Sequence, residues 1–526
     1  MLTYFVITSI LMAVFIFITH SAKIGKIVVL AVQLGLVVAA FFLVVAAREQ
    51  TIITVVGGYE GVLGVLLVAD SVSAAFVFLT AVMFFVVALY ALQDAGNVVY
   101  WFLLLIWQGL MAGVFLANDF FNIFVLMEVA TVVVTSLIMY DREKRSMYDG
   151  LFYLMINIVA AQFYLFGVGY LYRQTGVLDI DAATIAMGGL DRGQLILPYA
   201  LIMTFISLKC ALVPLYAWLP RAYAASGAPP SVLAILSGLH IKSSIFLFIR
   251  FSGAFAEHID AAAFFMVIGI VTAIVGIVMA WAQTDMYYIL AYSSVAQMGL
   301  IITGFSIGGH YNVMGSWYHM INHAVLKSAL FLSAGVIASA YGTRNIHEIR
   351  GVFKRMPLTA AMTILFILGM AGAPLFNASI SKYWMMHGVG GVLYGILVFI
   401  NLGTIVMFIK YSTIFFGKAN GEILNIAANK QAIFVIMGAL CVLGGVFGRQ
   451  FIYFLFNTVA MIDTSGYIEK AAIFAGSLVA GYFIFKYCVK NNTTLEKVGK
   501  LQLGFRGACA SMGMFFAVVL VIVNAL

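Results

Sequence analysis

The chain has 526 residues, 64% of them hydrophobic and only 9% charged, against about a quarter charged in an ordinary soluble domain. With a mean hydropathy of +1.09, most of the chain needs lipid as its solvent, which excludes a soluble fold. The net charge of +8 does not indicate a nucleic-acid partner, because most basic residues sit in short loops between apolar runs.

A membrane span needs about 20 apolar residues, and the sequence offers about sixteen such runs. They begin near Leu2, Ile27, Val62, Val98, Phe120, Asp149, Leu195, Pro230, Ala262, Met286, Asn312, Pro357, Val389, Gln431, Ala471 and Gly507. The first, Met1 to Thr19, lacks a basic leader and a small-residue cleavage site, so it reads as a span and not a signal peptide. Spanning strands are dismissed, because they would be alternating segments of about ten residues. The expected fold class is an all-α polytopic membrane protein. Four scattered cysteines, Cys210, Cys441, Cys488 and Cys509, support neither a disulfide framework nor a metal site.

Orientation follows from lysine and arginine. If the runs alternate across the bilayer, seventeen of the 28 basic residues fall on one side and six, Lys470 among them, on the other. The basic side is expected to be cytoplasmic, in the inner (plasma) membrane, with the N-terminus outside.

Five lysines lie inside runs: Lys209, Lys242, Lys327, Lys382 and Lys410. Glu128 joins them in NIFVLMEVATVVV. A lysine or acid at the centre of a span costs about 2.5–3.5 kcal/mol on insertion scales. Pairing, hydration or function must offset that cost, the plain alternative being a structural ion pair or a snorkelling side chain. Burial disfavours the charged form of either group and a neighbouring opposite charge restores it, so such residues suit proton relay. Moving Glu128 toward or away from a lysine would load or unload that lysine.

The eleventh run carries His319, His323 and Lys327 in YHMINHAVLKSALFLSAG. Spacings of four and four place the three on one helical stripe, about 12 Å long at 1.5 Å per residue. Histidine titrates near neutrality, so the stripe can form a proton wire. A zinc site is the rival reading of H-x-x-x-H, but the Glu of H-E-x-x-H is missing. Helix breakers stand beside two of the lysines, Pro214 after Lys209, and Gly372 and Pro374 before Lys382. Interrupted helices at membrane depth line protein or a water-filled cavity and mark ion sites.

Several segments together resemble one family: VADSVSAAF, ANDFFNIFVLMEV, PLYAWLPRAYAASGAPPSVLAILSGLHIK, DMYYILAYSSVAQMG, the histidine segment above and GAPLFNASISK. The family comprises the antiporter-like membrane subunits of Mrp-type Na⁺/H⁺ antiporters, respiratory complex I and membrane-bound hydrogenases. The W-L-P-R of Trp218 to Arg221 is most similar to the D subunit of Mrp-type antiporters. The resemblance implies about 14 core helices plus one or two C-terminal ones, with two inverted five-helix repeats and broken seventh and twelfth helices. The expected division is 1–96 for N-terminal helices, 97–251 and 252–417 for the repeats, and 418–526 for C-terminal helices. It further implies that Glu128 pairs with Lys209, that Lys242 is the central eighth-helix lysine, that His319, His323 and Lys327 form the eleventh-helix relay, and that Lys382 is the twelfth-helix terminal group. Lys410 is included in the relay as a buried lysine.

Such proteins carry no redox cofactor, and the residues here are read as holding no metal. Members of the family work beside homologous antiporter-like and small membrane subunits, move protons and in some complexes Na⁺, and do not bind nucleic acid. The sequence departs from the family pattern where Met286, Tyr287 and Tyr288 follow Asp285, and where Gly372-Ala373-Pro374-Leu375 replaces G-I-P-P. The expected function is a proton-translocating subunit of a multisubunit cation/proton antiporter. The alternative is the pumping arm of a redox complex, a hydrogenase or quinone oxidoreductase. A solitary permease would need a polar substrate cavity in place of titratable groups, and a passive scaffold gives no reason to keep six buried charges.

Overall fold

The computed structural model describes residues 1–57, 64–94, 97–418 and 422–525. Val62, the expected start of the third span, and residue 96, the first expected domain boundary, lie outside these. Two N-terminal helices, α1 (Thr3–Thr19) and α2 (Ala22–Ala47), lead into a hairpin of β1 (Ile52–Val56) and β2 (Val65–Ala69), antiparallel with Ile52 opposite Ala69. The hairpin corrects the expectation of an apolar helix there. VLLVA is short, apolar and β-branched, and a run of that length cannot be told from a buried helix by periodicity.

The third span is instead α3 (Ser71–Ala91), which starts where Asp70 Oδ1 accepts a 2.7 Å bond from Ser73 N. Then come α4 (Val98–Leu116), α5 (Phe120–Ile138), α6 (Lys144–Thr175), the short α7 (Ile180–Met187) and α8 (Arg192–Lys209). After a break follow α9 (Trp218–Tyr223), α10 (Pro230–Ile235), a π-helical turn Leu236–His240, α11 (Ile241–Ala254), α12 (Ala262–Ala282), α13 (Met286–Ile307) and α14 (His310–Tyr341). The chain continues through α15 (Val352–Arg355), α16 (Pro357–Ala371), α17 (Asn377–Met385), α18 (Gly391–Ser412), α19 (Ala428–Val446) and α20 (Gly448–Phe456). It ends with α21 (Thr464–Ile484), α22 (Thr493–Gly499) and α23 (Phe505–Ala525).

Thirteen helices among the described residues are long and apolar enough to cross a membrane. Of the expected sixteen, the other three are the shorter α1 and α16 and the 18-residue α8. In the most apolar 18-residue stretch of Pro230–Ala254 and of α13, 94% of the residues are buried, against 11% in that of Thr464–Val489. The former make the centre of the bundle, and the C-terminal helices lie on its outside.

Two parts of the chain are built alike. Phe120 N donates to Leu178 O and Ile180 N to Asn118 O, while Met286 N donates to Arg344 O and Ile346 N to Thr284 O. Each residue of the second set follows its counterpart by the same interval. Helices α6 and α14 are both 32 residues long and stop at left-handed glycines, Gly176 (φ 71°) and Gly342 (φ 67°). In this register Tyr153, Asn157 and Ala161 of α6 stand where α14 has His319, His323 and Lys327.

Both breaks expected next to lysines are present. Helix α8 ends at Lys209, Ala211 turns left-handed (φ 54°), and Pro214 has no N–H to continue. The freed groups find partners. Leu208 O accepts from Ala211 N and from the Trp218 indole at 2.8 Å each, and Val213 N donates to Thr272 Oγ1 at 2.9 Å. Such pairing is what permits irregular backbone at membrane depth. Helix α16 ends at Ala371, and Gly372 takes the left-handed cap (φ 84°) that a side chain would strain.

Candidate functional site

The first group is formed by Glu128 of α5 and Lys209 at the end of α8. Lys209 Nζ lies 3.8 Å from Glu128 Oε1, with Lys209 3% and Glu128 23% exposed. The lysine is therefore sealed while the acid reaches the edge of the bundle. Lys209 Nζ also donates to Thr131 Oγ1 at 2.9 Å, one helical turn beyond Glu128 on α5. Among the described residues no other carboxylate makes an ion pair with any of these buried lysines.

Further polar groups lie inward of Thr131. The Tyr153 hydroxyl, near Thr131, lies 3.3 Å from His240 Nε2. The Trp107 indole donates to His240 Nδ1 at 3.3 Å. An indole N–H can only donate, so Nδ1 is the acceptor and Nε2 carries the proton toward Tyr153. Neither His240 nor Tyr153 is singled out by the sequence. The usable signals are the histidine two residues before Lys242 and the register that makes Tyr153 the counterpart of His319.

Lys242 follows the π-helical turn, which leaves the Ser237 carbonyl free to accept from Lys242 Nζ at 2.5 Å. π-bulges of this kind gather at functional sites. Ser237 Oγ lies 2.9 Å from Ser294 Oγ on α13, and the adjacent Ser293 accepts from Lys327 Nζ, which also donates to Leu290 O at 2.8 Å. A polar seam on α13 thus joins Lys242 to the α14 stripe. Both lysines are fully buried.

The stripe is present as expected. The rings of His319 and His323 lie 6.3 Å apart between centroids. Both nitrogens of His323 are buried without a hydrogen-bond partner. His319 Nε2 is 3.0 Å from Gln297 Oε1, and its Nδ1 is 2.9 Å from Ser381 Oγ on α17. The next residue is Lys382, whose Nζ donates to Met370 O and Asn401 Oδ1 at 2.9 Å each. Gly372 sits over it, a Cβ there falling 3.4 Å from Lys382 Cδ. Among the described residues no group of three or more His, Cys, Asp or Glu could hold a metal ion, so the H-x-x-x-H pair stands without further ligands.

Lys410 is placed differently. Its Nζ donates to Trp281 O at 2.5 Å and Gln283 O at 2.6 Å, capping the C-terminal end of α12, where a cation is favoured. It borders a cavity of about 400 Å³ with Arg350, His347 and Glu496. The structure brings Glu128, Lys209, Lys242, Lys327, His323, His319 and Lys382 into one buried row, hydrogen-bonded in stretches and interrupted at His323, whose nitrogens have no partner, and leaves Lys410 off its end. Chemically, the row offers titratable nitrogens, most of them bonded to hydroxyl, amide or carbonyl groups, with a single acid at one end.

Comparison with known proteins gives the chain its relatives. The N subunit of the NADH-quinone oxidoreductase of Desulforudis audaxviator is 33% identical over 312 residues, 57% of this chain and 61% of that protein. The D subunit of the Na(+)/H(+) antiporter of Alkalihalophilus pseudofirmus is 28% identical over 358 residues, 66% of this chain and 72% of that one. A chain in the structure of the Mrp complex from Dietzia sp. superposes with a TM-score of 0.80 at 21% identity, covering 91% of this chain and 99% of that one. Residues 117–409, more than half of the chain, match the family described as NADH:quinone oxidoreductase/Mrp antiporter, TM. This polytopic membrane protein belongs to that family.

Proposed function

We propose that the chain is a proton-translocating membrane subunit of a multisubunit cation/proton antiporter, coupled to Na⁺, and that its buried Glu/Lys/His series is the relay. The observation that carries this reading is the row of buried titratable and polar side chains from Glu128 to Lys382 through an otherwise apolar bundle. Seven ionisable groups at membrane depth are costly to keep, and most of them here are bonded to proton-passing partners. Glu128, Lys209, Lys242, His319, His323, Lys327 and Lys382 are the relay residues, with Lys410 at its margin. Residues 97–251 and 252–417 are read as the two inverted repeats, a division supported by the shared register of α6 and α14. The basic loops face the cytoplasm, the N-terminus lies outside, and neighbouring antiporter-like subunits complete the machine.

A redox-driven pumping arm is the second reading. It is favoured by the relative named as part of an NADH-quinone oxidoreductase, which is 33% identical against 28% for the antiporter relative. Purification of the native complex in mild detergent, with every subunit identified, separates the two. Small hydrophobic subunits alone, with Na⁺-driven proton movement, support the antiporter. Iron–sulfur or hydrogenase subunits, without Na⁺-driven proton movement, overturn it in favour of the second reading.

A further inference from the structure

The charge pattern of the sequence puts Lys470 in a loop outside the bilayer. It lies instead in the second turn of α21, within the span Thr464–Val489, and that span is outside the segment 117–409 matched to the family. Its amine is buried and has no hydrogen-bond partner. The nearest aromatic face is that of Tyr383, with Nζ 5.5 Å from the ring centroid.

The amine points to a small cavity of about 30 Å³, which Lys470 lines together with Lys382, Asn401, Gly372 and Tyr394. A water needs about 10–15 Å³, so the cavity has room for about two waters between the two lysines. A second cavity, of about 10 Å³, also touches Lys382, together with Gly304 and Met385. The charged and titratable groups facing Lys470 are Lys382 and Tyr383 from α17 and Tyr394 from α18, with His319 of α14 behind Ser381. Glu469 precedes it on α21 but is exposed. No carboxylate lines the cavity.

Two ammonium groups facing one small cavity without an anion repel each other, whereas one charge shared through water satisfies both sites. We propose that Lys470 is a further proton carrier, the last group of the series, sharing a single proton with Lys382 across this hydrated cavity. The proton leaves one amine as the other gains it, through water, so charge is conserved and no additional reactant is needed. The inference rests on the relay reading above. It places the end of the path on a C-terminal helix at the outside of the bundle, where only 11% of the most apolar 18-residue stretch of Thr464–Val489 is buried.

The test uses everted membrane vesicles carrying the whole native complex, with assembly checked on native gels and proton movement followed by a pH-sensitive dye. Lys470→Met and Lys470→Gln are expected to lower proton movement toward the roughly 100-fold contribution of a positioned proton carrier. Lys470→Arg, which keeps the charge and the contact with Tyr383 but does not give up its proton, is expected not to restore it. The pH profile of the wild type should show a coupled pair, reduced in Lys470→Met to a single group. Wild-type movement in Lys470→Arg would mean that the lysine only packs on Tyr383, and would overturn the proposal. Wild-type movement in Lys470→Met with an inactive Lys382→Met would overturn this inference alone. Wild-type movement in both would overturn the relay reading on which it rests.

Discussion

Glu128→Gln isolates the one opposite charge in the series. The carboxylate stands 3.8 Å from Lys209 Nζ, and two unit charges at that distance attract by about 4 kcal/mol at an effective dielectric of 20. Glutamine keeps the volume and removes that attraction, which makes a charged Lys209 rarer by roughly 10³-fold at 1.36 kcal/mol per tenfold. Lys209 keeps its bond to Thr131, so the site should hold its shape. Glu128 is 23% exposed, and screening at the bundle edge reduces the effect, so a loss of proton movement of about 10²-fold is the working expectation. The assay is dye-reported proton movement in everted vesicles, normalised to assembled complex. Glu128→Asp, which keeps the charge on a shorter arm, should retain part of the rate. Wild-type rate in a fully assembled Glu128→Gln complex would refute the idea that this pair loads Lys209.

Further outcomes follow from other sites. Tyr153→Phe removes only the hydroxyl between Thr131 and His240, and it should slow proton movement at least about tenfold, within the range for a lost proton-passing group. A rate equal to wild type would remove Tyr153 from the path. Lys410→Met should lower the thermal stability of the purified complex by about 1–3 kcal/mol through two unpaired carbonyls. Lys410→Arg should restore it, and an unchanged melting temperature in the Met variant would argue against capping. Gly372→Ala should cost about 1–2 kcal/mol for its left-handed backbone and crowd Lys382, whereas Gly395→Ala, with open space around it, should be neutral or stabilising in the same melting assay. Trp218→Phe removes one of two donors to Leu208 O and should cost about 1 kcal/mol, measured in the same way.

Much of this architecture is legible in the sequence because lipid imposes simple rules. Uninterrupted apolar runs mark the spans, and spacings of four mark the stripe from His319 to Lys327. Proline and glycine beside Lys209 and Lys382 mark the breaks, since a chain without an N–H or with a left-handed residue cannot continue a helix. The Glu128–Lys209 pair comes from family resemblance, as no local rule links residues on α5 and α8. The hairpin at β2 escapes notice because its apolar strand looks like the start of a span. His240 and Tyr153 escape notice because their meaning lies in contacts between distant helices, and a lone histidine or tyrosine in an apolar run gives no sign of its partner. Lys410 groups with the relay on sequence because burial alone cannot distinguish a helix cap from a proton carrier. Lys470 looks like a loop residue because the polar start of α21, Thr464 to Lys470, hides the first two turns of a span.

The central claim is that protons pass through the buried series, and Lys242 is its middle, fully buried and held by Ser237 O. The most direct measurement is proton flux in proteoliposomes containing the purified native complex, with an internal pH dye and an imposed Na⁺ gradient, comparing wild type with Lys242→Met. If protons pass through Lys242, the wild type shows a Na⁺-driven internal pH change and the variant loses it, with subunit composition unchanged. Equal flux in the two preparations would contradict it.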